Sequence, residues 1–306
     1  MLTKFFLLVL SSCFIVVATQ SVAESQGAQP VTLRFAGGVN GAPFACGKSY
    51  ANVGTTKSTV TPSDFRLFVS AIELLTKEGK AVPVALNQDG VWQYKSVALI
   101  DFEDGAGPCG NGTKATHTEV AGTVPNGSYT GVRFTMGVPF ELNHGDPTIA
   151  PSPLNITAMF WNWQGGYKFL RADMASTGLS AKPAMKQMAM DHGSKSGHGH
   201  DDASGYSVHL GSTLCASASP TESPSSCKNP NRVTVTFANF DLSKNTVVAD
   251  LGALLAGANV DHNTPHTSPG CMSFPKDPDC PAVMNALGLA YDGAAPKGTQ
   301  KLFIMK

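Results

Sequence analysis

The sequence is poor in charge: 22 basic and 22 acidic residues among 306, with a formal net charge of +0. Without a basic surplus there is no electrostatic footprint for a phosphate backbone, and nucleic-acid binding is excluded as a main activity. Enzyme signatures are missing as well. The chain has no GxSxG, no HExxH and no GxxxxGK[ST]. That removes the hydrolase elbow, the zinc-protease helix and the P-loop. No CxxC pair exists, which argues against a cysteine-ligated metal cluster. Beyond the first two dozen residues no apolar run is long enough to span a bilayer. These absences point to a binding protein rather than an enzyme.

What is present begins with a leader. A short basic start, Met1 to Lys4, precedes an apolar run, and Ser21-Val22-Ala23 supplies small residues for signal peptidase. Cleavage after Ala23 is therefore expected, giving a periplasmic chain. Leu10-Ser11-Ser12-Cys13 resembles a lipoprotein box, so a lipid anchor on Cys13 is the alternative. The apolar run continues through Phe14-Ile15-Val16-Val17, which favours the soluble form.

Six further cysteines follow: Cys46, Cys109, Cys215, Cys227, Cys271 and Cys280. An even count in an exported chain reads as three disulfides. About fifteen pairings are open to six cysteines. Proximity in the chain suggests Cys46–Cys109, Cys215–Cys227 and Cys271–Cys280.

Gly and Pro are abundant (31 and 20), as in a loop-rich β protein. Apolar alternation predicts strands near 31–35, 82–86, 95–101, 129–140, 154–163, 167–171, 206–210, 232–237 and 246–251; 64–76 reads as strand or helix, and the alternation of Phe65, Leu67 and Val69 favours strand for its first half. In 129–140, Val132, Phe134 and Met136 share one face and Arg133 and Thr135 the other. In 154–163, Met159, Trp161 and Trp163 fall on one face and Ile156, Ala158 and Phe160 on the opposite one. Asn87-Gln88-Asp89-Gly90 has hairpin chemistry, and Leu251, Leu254 and Leu255 have helical spacing. The pattern predicts an all-β fold, an antiparallel β-sandwich or partly open barrel, with residues 24–306 as one domain. Residues 175–205 break the pattern. They are rich in Met, Lys, Ser, Gly and His and read as a long surface loop.

Histidine is the commonest side-chain ligand for copper and zinc. His192, His198 and His200 lie in the 175–205 tract, where mobile backbone holds ligands poorly. His144, at an expected strand end, and His209, inside an expected strand, are better placed. A pair of hydrogen-bonded structural histidines is the plainer reading of both. Met159 beside them supplies a thioether, the donor that favours soft Cu(I). The acidic turn Asp101-Phe102-Glu103-Asp104 carries little weight as a catalytic pair or Ca²⁺ loop.

Several segments together resemble a known family. They include Asp64-Phe65-Arg66-Leu67-Phe68-Val69-Ser70, Gly137-Val138-Pro139-Phe140, Asn143-His144 and Pro151-Ser152-Pro153-Leu154-Asn155. Met159-Phe160-Trp161-Asn162-Trp163, Gly166-Tyr167-Lys168-Phe169-Leu170-Arg171, His209-Leu210-Gly211-Ser212-Thr213 and Gly270-Cys271-Met272-Ser273 complete the set. On these the chain is identified as a member of the MbnP family, one half of the metallo-mystery pair. The resemblance implies a periplasmic protein holding one copper ion as Cu(I). It also implies a partner, MbnH, a di-haem enzyme similar to cytochrome c peroxidase and MauG. That partner oxidises the first Trp of a W-x-W pair to kynurenine, and copper binding depends on the change. Here that residue is Trp161, with Trp163 as its supporting neighbour. Ring opening would add polar groups beside the metal. His144 and His209, with Met159 and Met272 as softer donors, are the ligands expected from the residues themselves. A carbohydrate- or surface-binding β-sandwich with incidental metal affinity is the competing function.

Overall fold

A computed structural model describes residues 27–162, 164–180, 205–219 and 222–306. The leader with Cys13, Trp163, and the tract carrying His192, His198 and His200 lie outside them. Two sheets form the fold. In one, the strands Phe303–Met305, Val247–Asp250, Ala28–Val39, Glu119–Pro125 and Ala85–Leu86 lie side by side in that order. In the other, Gly205–Leu210, Leu170–Ser176, Ser58–Leu75, Gly131–Met136 and Val233–Phe237 do so. Neither path closes on itself, so the expected all-β class holds as a sandwich rather than a barrel. One neighbour pair departs from the antiparallel expectation. Ala28–Val39 runs parallel to Val247–Asp250, with Phe35 opposite Val247.

The core between the sheets is aromatic and β-branched. Phe134 meets Phe35 at 5.5 Å and Phe303 at 5.2 Å, both edge-on, tying the sheets together. Such pairs contribute about 0.5–1.5 kcal/mol beyond their buried area. Val132, Phe134 and Met136 are buried while Arg133 and Thr135 are not, as the period of two requires. Met136 pairs with Val69 across the strands. Val69 therefore faces the core between the sheets. By alternation, Asp64, Arg66 and Phe68 point the other way, to the face turned from the partner sheet. That second face is covered too: Tyr167 packs on Phe68, ring centroids 5.6 Å apart.

Four expectations for local structure are corrected. The single return strand at 82–86 breaks at Val84: Ala81–Pro83 pairs with Ser58–Leu75, and Ala85–Leu86 crosses to the other sheet. Asn87 to Gly90 is consequently no hairpin turn. Asp89 Oδ1 accepts the N–H groups of Val91, Trp92 and Gln93 and turns the chain between sheets. The hairpin lies further on, between Gln93–Tyr94 and Val97–Asp101. The expected strand at 154–163 is mostly a turn. Its N–H groups bond backward, Leu154 to Pro151 and Ile156 to Pro153, and Thr157–Met159 is a 3₁₀ turn. Only Phe160–Asn162 is strand, paired with Gly166–Tyr167. The tract at 175–205 is ordered at its start, where Leu170–Ser176 runs into a helical turn, Thr177–Ser180.

The disulfides are Cys46–Cys109, Cys215–Cys227 and Cys271–Cys280, the proximity pairing. The expected helix occurs at Leu251–Leu255, and Asp250 caps it. Its carboxylate accepts Gly252 and Ala253 N–H, and on the neighbouring turn Asn40 and Gly41 N–H. Asp250→Ala orphans four buried or half-buried donors. It should cost about 2–3 kcal/mol, read from urea denaturation. A loss below about 0.5 kcal/mol, the noise of an ordinary surface change, would refute the capping role.

Candidate metal centre

On the second face of the larger sheet, charged side chains line up along three strands. Asp64 and Arg66 lie opposite Asp173 and Arg171 in register, and Arg171 lies opposite His209. A chain of contacts follows. His209 Nε2 is 2.7 Å from Asp173 Oδ1. Arg171 Nε donates to Asp173 Oδ2 at 2.7 Å and stands 3.1 Å from Asp64. Arg66 pairs with Asp64 through both oxygens and reaches Glu103 at 3.8 Å. Arg66 is only 1% exposed. Glu103 also accepts the N–H groups of Gly105 and Thr113. The acidic turn is thus a structural clamp on the loop that carries Cys109.

Burial governs the proton affinities. It opposes the Arg66 charge, but the hydrogen bond and charge of Asp64, backed by Asp101 and Glu103, hold that guanidinium above its ordinary value. Burial and the neighbouring Glu103 charge push Asp101 up to about 7. Lys168 is driven down to about 8 by burial and by Arg171. His209 and Asp173 titrate as a pair. Burial pushes His209 below its ordinary value, and the opposing pull of Asp173 does not reverse this. Burial also opposes charge on Asp173, but His209, Arg171 and Ser207 together hold it well below the usual carboxylate range. Asp173, with Arg171 on its other oxygen, is the ionised member.

This row grips the segment that carries Trp161. Lys168 Nζ and Arg171 Nη1 both donate to the Ala158 carbonyl, at 2.9 and 3.2 Å. Trp161, three residues on and half-buried, then lies over Gly211. A Cβ on Gly211 would fall 2.4 Å from the indole, so only glycine fits there. Gly211 is two residues past His209. The indole also stacks on Phe274 at 5.6 Å, two residues past Met272. The strand edge at His209 is also tied to Cys271-Met272-Ser273. His209 N–H donates to the Cys271 carbonyl at 2.9 Å, and the Ser273 hydroxyl donates to the His209 carbonyl at 2.8 Å. Met272, half-buried, sits between those two contacts. His209, Trp161 and Met272 thus belong to three chain segments that pack on one another.

The other expected donors keep different company. His144 caps the helical turn Phe140–Asn143 rather than ending a strand. Its Nε2 lies 3.2 Å from Asn143 Nδ2 and 3.4 Å from Cys227 Sγ. Both Cys215 and Cys227 beside it are in a disulfide, so that group offers no thiolate. The same holds for Cys46 and Cys109 around Glu103. Met159 lies in the hydrophobic core, fully buried, in the 3₁₀ turn; it does not share a strand face with Trp161. His117 stacks flat on Trp92 and its Nδ1 meets the Leu99 carbonyl at 2.5 Å, a packing role.

Sequence reasoning missed Asp173 and Arg171 as site residues and Lys168 as an anchor. A signal existed: in Leu170–Ser176 the polar pair alternates with Leu170, Ala172 and Met174, marking a second, polar face.

The fold is a disulfide-stapled β-sandwich, and His209 lies in a row of charged side chains on the covered face of its larger sheet. The chain belongs to the MbnP family, whose model matches residues 28–273. It is similar to the solved structure of MbnP from Methylosinus trichosporium, at 33% identity and a TM-score of 0.75, covering 91% of this chain and 98% of that one. No curated protein matches it.

Proposed function

We propose that this protein binds one copper ion, as Cu(I), in the periplasm and catalyses nothing itself. Its site forms fully only after a di-haem partner of the MbnH kind oxidises Trp161 to kynurenine. The observation that carries this reading is the packing of the Trp161 indole against Gly211, two residues past His209, and against Phe274, two residues past Met272. An indole is a poor ligand, and the segments it packs on bring a nitrogen and a sulfur donor with them. Those donors suit a soft ion. Cleavage of the indole C2–C3 bond and loss of the formyl group as formate would leave an aryl amine and a ketone at that place. This four-electron oxidation would need dioxygen or peroxide as the oxidant, used by the partner's haems. Two oxygens would enter as the ring opens and water would then release formate, so the residue gains one oxygen and loses one carbon.

His209 and Met272 are the donors the geometry supports best; His144, beside the Cys215–Cys227 disulfide, and Met159, in the core, are not brought to them. His209→Ala should abolish stoichiometric copper, measured by metal analysis and Cu(I) competition titration. Deleting residues 192–200 should leave it intact, because His209 is held on a paired strand and rigid elements hold ligands in place. Loss of copper in the deletion alone would place the site in the tract and overturn the assignment.

A further inference from the structure

We infer that Asp173 is a positioning residue for the copper site: it fixes the imidazole of His209 in the tautomer that carries its proton on Nε2 and leaves Nδ1 as the ligand atom. This rests on the reading of His209 as a ligand. The geometry is direct. An ionised carboxylate only accepts hydrogen bonds, so at 2.7 Å it requires a proton on Nε2. In a neutral imidazole the lone pair then lies on Nδ1. Among the described residues Nδ1 has no hydrogen-bond partner.

Asp173 is itself held. Arg171 donates to its second oxygen at 2.7 Å, so the carboxylate cannot swing away without breaking an ion pair in a covered site. The same Arg171 donates to the Ala158 carbonyl, three residues before Trp161. One guanidinium therefore sets the orientation of His209 through Asp173 and the position of the Trp161 segment through Ala158. A carboxylate behind a ligating imidazole also raises the basicity of the ligand nitrogen, and removing such a partner typically weakens metal binding about 10- to 100-fold.

The test begins with the copper-free mature protein, labelled with ¹⁵N-histidine. Long-range ¹H–¹⁵N correlation should show His209 with Nε2 protonated and Nδ1 bare. Asp173→Asn should lose that preference and bind Cu(I) about 10- to 100-fold more weakly in competition titration, with the Trp161 mass state matched to the wild type. Its melting curve separates a folding loss from a site effect. If the variant does not fold, the wild-type spectrum still decides. A wild-type His209 protonated on Nδ1, or in tautomeric exchange, overturns the inference. So does Asp173→Asn with wild-type spectrum and affinity. Full copper loading by His209→Ala would sink the reading of the site, and the role of Asp173 in copper binding with it, even with the tautomer as stated.

Discussion

Trp161→Phe is expected to abolish stoichiometric copper binding while leaving the fold intact. Phenylalanine fills part of the slot between Gly211 and Phe274 and can stack on Phe274 as the indole does. It cannot open to a ketone and an amine. Trp161 is half-buried, the middle residue of a three-residue strand, so shrinking the ring should cost only about 1 kcal/mol of stability. Wild-type protein made with its oxidising partner should carry a mass gain of about 4 Da, the balance of one oxygen gained and one carbon lost. Peptide mapping should put that gain on Trp161 and not on Trp163 or Trp92. Trp92 is engaged in a flat stack on His117 at 5.1 Å, on a different part of the sheet. Wild-type protein made without the partner should behave like Trp161→Phe. Full copper loading by the Phe variant would show that modification does not make the site, and His209, His144 and the methionines would have to hold the ion unaided.

The core of the fold could be read because each layer shows on one strand face. Val132, Phe134 and Met136 against Arg133 and Thr135 illustrate it. The disulfides followed from chain proximity because each pair closes a loop without crossing another. The segment at 154–163 deceived the pattern. Alternation measures only the order of apolar residues, whereas Pro151 and Pro153 carbonyls take up the following N–H groups in turns. Met159 thereby rotates into the core. The metal neighbourhood was half legible. His209, Trp161 and Met272 stood out by residue type, but their meeting depends on contacts between residues far apart in the chain, which no local period encodes. The polar row was illegible for another reason. Asp64 and Arg66 alternate with Phe65 and Leu67 as solvent-facing residues do, and only the tertiary cover at Tyr167 and Ala158 makes them buried.

That cover gives Arg66 the largest stability effect expected of any single change. The guanidinium serves Asp64 and Glu103 directly and counters the charge of Asp101. Arg66→Met keeps much of the volume but leaves acidic groups in a dry site without their cation. Breaking a buried ion pair from one side costs about 3–5 kcal/mol, a large share of the roughly 5–15 kcal/mol that holds a domain together. The pH dependence identifies the cause. In the wild type Asp101 already sits at about 7, against 3.8 in an ordinary setting. Between those values the folded chain holds a proton that the unfolded chain has released. This group's contribution to stability therefore rises as pH falls from about 7 toward 4. Without the lowering charge of Arg66 the Asp101 carboxyl shifts further upward, so protonation relieves more of the penalty. The gap between Arg66→Met and wild type should be widest near pH 8 and should narrow by about 1 kcal/mol or more toward pH 5. Asp173 acts in the opposite sense. Its lowered value contributes stability above the ordinary carboxylate range that is lost only at lower pH, so it does not mask the trend in that window. Urea denaturation of both proteins across the range measures the gap. A constant gap would mean that Arg66 acts by packing alone, through its three-carbon stem against Phe68 and its neighbours, and that the buried row is held by shape rather than by charge.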